Sequence, residues 1–141
     1  MKKIAIVRKE YFDEKEYCNK IINDNGNDYE RKAFKEITDN EEQYLSSNNE
    51  NKVRGKIEKL SDLRFRILWR TPSFLQEVFD YMKLQAHTMN DQTQVKSLIV
   101  DGKLASDSEN WDKLAEIDSR LINLLPTITE QNKFKGVGIT R

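Results

Sequence analysis

His87 is the only histidine in the chain and Cys18 the only cysteine, so any acid–base or nucleophilic chemistry would have to start from one of these two side chains. A general acid or base needs a pocket and a substrate group within hydrogen-bond reach. His87 instead falls on the polar side of its helix, opposite Phe74, Val78 and Met82 and near Asp91, as expected of an exposed helix-end histidine. Cys18 has no histidine in its local sequence and no feature that lowers a thiol pKa, so it is expected to pack as a small apolar residue. One cysteine excludes an intrachain disulfide and a multi-thiolate zinc cluster. The run Asn23-Asp24-Asn25-Gly26-Asn27-Asp28 lacks the acidic spacing and closing Glu of a calcium loop and reads as a plain turn. Gly-rich phosphate loops, paired zinc-ligand motifs and nucleophile elbows do not occur. The expectation is a protein that is not an enzyme, with no cofactor, no metal and no catalytic residue.

Charge patterning offers binding instead. Lys52, Lys56, Lys59, Arg66 and Arg70 fall on one stripe of an ideal helix, flanking Leu63, with Phe65 and Trp69 to one side. Such a stripe could meet an acidic protein surface or a phosphate backbone, or be a solvated face balanced by acidic helices packed beside it. Phe65, Trp69, Arg66 and Arg70 are the candidate partner-binding residues. Two charges fall on apolar stripes: Arg64 among Val53, Ile57, Leu60 and Leu68, and Asp118 among Trp111, Leu114, Ile122 and Leu125. Pairing Arg64 with Asp118 across a helix interface would neutralise both; otherwise each snorkels to an edge.

The elements that would carry these residues are helical. With 141 residues, 37% hydrophobic and 34% charged, the chain suits one domain with a thin core, or a domain plus an arm. Its formal net charge is zero, with the acidic excess in residues 1–50 and the basic excess in 51–90. That balance argues against a dedicated nucleic-acid binder. No apolar run approaches a membrane span, and the basic start imitates a signal peptide only until Arg8-Lys9-Glu10. A soluble, cytoplasmic protein with no membrane partner is expected.

Ile4 to Val7 is the one strand-like run, expected to be a short extended segment. A short helix is predicted over Tyr11 to Ile22, capped by Asp13 with Glu16, and another over Tyr29 to Leu45. Ser46 to Asn51 is the linker candidate. Longer amphipathic helices follow: Lys52 to Arg70; Thr71 to Thr88, with Pro72 at its first position; one capped by Asn90 or Asp91; and one capped by Ser108 and ended by Pro126. Gly102 lies on an apolar face beside Leu98 and Ala105, where a small residue lets helix axes approach. The predicted fold is all-α, a helical bundle or stacked antiparallel helical hairpins. It comprises an N-terminal arm with two short helices (1–50), a helical core (51–126) and an extended tail (127–141).

One resemblance sharpens this. Leu60-Ser61-Asp62-Leu63-Arg64-Phe65-Arg66-Ile67, Thr71-Pro72-Ser73-Phe74-Leu75, Leu98-Ile99-Val100-Asp101-Gly102-Lys103-Leu104-Ala105, and Trp111-Asp112-Lys113-Leu114 leading to Leu121-Ile122-Asn123-Leu124-Leu125-Pro126 follow in order. Together they resemble the C-terminal helical region of bacterial DnaK-type (heat-shock) chaperone homologues. The match spans about half the chain and includes none of the nucleotide-binding motifs. It implies a module without ATPase activity that contacts client or partner proteins, and it carries over no ligand residue. The alternative expectation is a nucleic-acid-associated regulatory protein using the stripe 52–70.

Overall fold

The computed structural model describes residues 4–134, which form eight α-helices and one 3-10 turn and contain no strand. They divide into two compact units between Ile67 and Leu68. The division thus falls near the end of the long fourth helix rather than at the polar linker around residue 50.

The first unit holds α1 (Ile4–Asn25), α2 (Asp28–Thr38), α3 (Glu41–Leu45) and nearly all of α4 (Glu50–Leu68). The strand-like Ile4–Val7 is a correction: it is the first turn of α1, a single helix of 22 residues. β-Branched residues favour strands only where a neighbouring strand can pair. Here Val7, Tyr11, Cys18 and Ile22 recur at helical spacing and are all buried, so the face they share with α4 decides the conformation. Asp13 and Glu16 accordingly lie inside α1 rather than at a cap. The cap belongs to Asn27, whose side chain accepts from the Glu30 backbone N–H while the Glu30 carboxylate accepts from that of Asn27.

Contacts order the helices. The Arg8 guanidinium donates to the Leu45 carbonyl just before α4 begins, at 2.7 Å. Glu14 meets Arg64 near the end of α4, and Glu30 at the start of α2 lies 3.9 Å from Arg66. Helices α1 and α4 therefore run the same way, with α2 returning beside them. Their buried faces form one core from Val7, Tyr11, Cys18, Ile22, Tyr44 and the α4 residues Val53, Ile57, Leu60, Leu63 and Ile67.

The second unit holds α5 (Pro72–Gln85), the 3-10 turn Ala86–Thr88, α6 (Gln92–Asp107), α7 (Trp111–Asn123) and α8 (Ile128–Asn132). Pro72 takes the first position of α5, and the Asp91 side chain caps α6 by accepting from Gln94 N–H. Ser108 ends α6 by donating to the Leu104 carbonyl, and Asn110 caps α7 in its place. Antiparallel α5 and α6 are joined by the Gln76–Ser106 side-chain hydrogen bond and by Phe79 lying over Gly102. A Cβ on Gly102 would fall 2.2 Å from the Phe79 ring, so glycine is what admits that ring. The sequence 127–134 is not extended: Thr127 caps α8, and Phe134 packs on this unit's core. The rest of the expected tail lies outside the described residues.

Candidate functional site

The stripe on α4 is resolved into two different halves. Arg66, 60% exposed, stacks over the Tyr29 ring at 5.0 Å and lies near the buried Glu30, so α2 balances this end. Lys52, Lys56 and Lys59 have no ion pair among the described residues. The Lys56 stem crosses the buried Tyr44 ring, its ammonium 5.0 Å from the centroid. Partial burial, then repulsion from Lys59 and Lys52, holds the Lys56 pKa below the usual lysine range. By contrast Lys9, Lys15, Arg54, Arg64, Lys83, Lys103, Lys113 and Arg120 all meet carboxylates. The lysine triad is thus a local positive strip whose charges repel one another.

Of the four candidate partner-binding residues, Phe65 and Arg66 belong to the first unit, Trp69 and Arg70 to the second. Phe65 is half-buried, with the Arg64 guanidinium 4.6 Å from its ring. Trp69 is spent internally: its indole N–H donates to the Phe134 carbonyl at 3.0 Å, and its ring meets Phe74 edge-on at 5.6 Å. It holds the end of the second unit in place and is not the free aromatic that an exposed contact patch requires. Arg70 is exposed.

Arg64 and Asp118, the two charges expected to pair, belong to different units, and Arg64 has a partner within its own. Arg64 Nε and Nη2 donate to the two Glu14 carboxylate oxygens at 2.7 and 3.1 Å, and its plane also stacks on Tyr17 at 4.4 Å. Asp118 is buried, and neither of its oxygens has a hydrogen-bond partner. The helical period placed both charges correctly on apolar faces. It could not show that α1 brings a carboxylate beside Arg64.

A polar network inside the first unit carried no local sequence signal, because its members come from separate helices. The Tyr11 and Tyr44 hydroxyls are 2.6 Å apart, and Tyr11 donates to Glu41 at 2.7 Å. Lys15 donates to both Glu41 oxygens at 2.8 Å, and Tyr44 lies 3.0 Å from the Ile37 carbonyl. Burial alone would raise the Glu41 pKa, but the hydrogen bonds from Lys15 and Tyr11 and the lysine charge outweigh it and leave the carboxyl below its usual range. Burial, then the bonds to Tyr44 and Glu41, pushes the Tyr11 phenol far up.

Cys18 is buried, and that burial, helped by the Glu14 charge and opposed by Arg64, pushes its thiol up to about 12. A thiol so held is not a nucleophile at neutral pH. His87 is exposed on the 3-10 turn. Among the described residues no group of three or more His, Cys, Asp or Glu could hold a metal ion, and no helix is long and apolar enough to cross a membrane. Compared with protein families, with curated proteins and with solved structures, the chain finds no match in any of the three.

Proposed function

We propose that this chain is a non-enzymatic, cytoplasmic helical interaction module that docks an acidic surface of a partner protein along Lys52, Lys56 and Lys59. The observation that carries the reading is that, among the described residues, none of these three neighbouring lysines meets a carboxylate, whereas Arg54 and Arg64 on the same helix do. Mutual repulsion along the strip is relieved when an anionic surface meets it, so binding gains from charge already held in place. The resemblance of residues 60–126 to the C-terminal helical region of DnaK-type chaperone homologues supports its finer form, contact with client or partner proteins. A nucleic-acid role is the weaker reading. The ring that lies against the strip, Tyr44 beneath Lys56, is buried and so is not open to base stacking.

The test is fluorescence anisotropy with labelled polyglutamate and with a labelled single-stranded oligonucleotide, using wild type and a Lys52→Glu/Lys56→Glu/Lys59→Glu variant. Polyglutamate binding that weakens at least ten-fold in the variant is the expected result. Equal binding by both proteins, or preferential binding of the oligonucleotide, would overturn the proposal.

A further inference from the structure

We propose that Asp118 is a protonation latch in the second unit: with its carboxyl neutral α7 packs against α5, and loss of that proton loosens the seam. Asp118 projects from α7 within the turns that bury Leu114, Ile117, Leu121 and Ile122. Both carboxyl oxygens are shut off from solvent and accept no hydrogen bond. An ionised carboxylate so placed has neither water nor a donor, and an uncompensated buried charge costs far more than a neutral acid.

The surrounding charges make this worse rather than better. The charge that bears on Asp118 comes from α5, the like-charged Asp80, and among the described residues no cation offsets it. On α7 itself the exposed Lys113 and Arg120 are both engaged with Glu116. Burial first, and the Asp80 charge second, push the Asp118 carboxyl up to about 8. In the unfolded chain an aspartate titrates near 4. A raised folded-state pKa contributes stability that is fully present below the unfolded value and is lost as pH rises towards the folded one. The second unit therefore weakens steadily between about pH 4 and pH 8, through the range around neutrality. A leucine at this position would pack without that penalty, so the acid trades stability for a response to pH.

Urea unfolding at pH 6 and pH 8, followed by tryptophan fluorescence, tests the latch, because Trp69 and Trp111 both belong to the second unit. For one proton the unfolding constant of the wild type should rise about fifty-fold between pH 6 and pH 8. Asp118→Asn and Asp118→Leu should both remove that slope, and the leucine variant should gain more stability at pH 8 than at pH 6. A carbon-detected NMR titration of the intact protein supplies a second measurement that needs no variant. An Asp118 carboxyl titrating near pH 4, or a wild-type slope retained in both variants, would overturn the proposal.

Discussion

Arg64 on α4 and Glu14 on α1 are joined by two parallel hydrogen bonds, and each side chain is almost buried, 13% and 12% exposed. The guanidinium also lies 4.4 Å from the Tyr17 ring and 4.6 Å from the Phe65 ring, contacts that help hold its plane for the bidentate pairing. Glu14→Gln leaves the cation without its counter-charge inside the core and is expected to cost about 2–4 kcal/mol. Replacing both partners, as Glu14→Leu with Arg64→Met, should recover most of that loss. Urea unfolding followed by circular dichroism measures both; equal stabilities for single and double variants would show that the pair is not coupled.

The Glu41 network gives the first unit an acid-side limit. Because the folded carboxyl lies below its ordinary value, its contribution is present above the unfolded pKa and is lost as pH falls through the lowered one. Acid unfolding of Glu41→Gln should begin from a lower plateau and show a shallower pH dependence than that of the wild type. Tyr11→Phe, which removes the hydroxyl between Glu41 and Tyr44, should cost about 1–2 kcal/mol near neutral pH. A Tyr11→Phe variant as stable as wild type would mean that the short contacts add nothing net.

Two helical glycines should respond to alanine in opposite directions. Gly55 on α4 has open space around an added Cβ, so Gly55→Ala is expected to stabilise by about 0.5–1 kcal/mol through backbone entropy. Gly102→Ala gains the same helix preference but drives its methyl into Phe79, which is 1% exposed and cannot swing away. Overpacking should prevail, with a net loss of about 1–2 kcal/mol. Thermal unfolding of the two variants side by side decides whether packing or propensity rules at each site.

Trp69→Phe keeps an aromatic against Phe74 but removes the donor to the Phe134 carbonyl. The expected loss is about 1 kcal/mol, together with faster proteolysis near α8, because that bond ties the end of the second unit to its core. Unchanged cleavage kinetics in limited proteolysis would show that Phe134 is held by its ring contacts alone, such as that with Tyr81 at 5.5 Å.

Several features were legible in the residues themselves. The 3.6-residue recurrence of apolar side chains marks α4 to α7, because burying one face is what stabilises an amphipathic helix. Pro72 at the start of α5, the cap at Asp91, and the small residue at Gly102 follow from local stereochemistry. The same period placed Arg64 and Asp118 on apolar faces. Tertiary structure decided what local pattern cannot hold. Ile4–Val7 became helix because α4 lies where its apolar face can bury, although the run itself favours a strand. Which carboxylate reaches Arg64, and that Asp118 reaches no donor, depend on residues brought close only by folding, 50 positions away in the case of Glu14. Trp69 passed from candidate surface to internal strut for the same reason: its partner Phe134 is 65 residues further along the chain. Periodicity tells which way a side chain points, and only the packing of separate helices settles what it meets there.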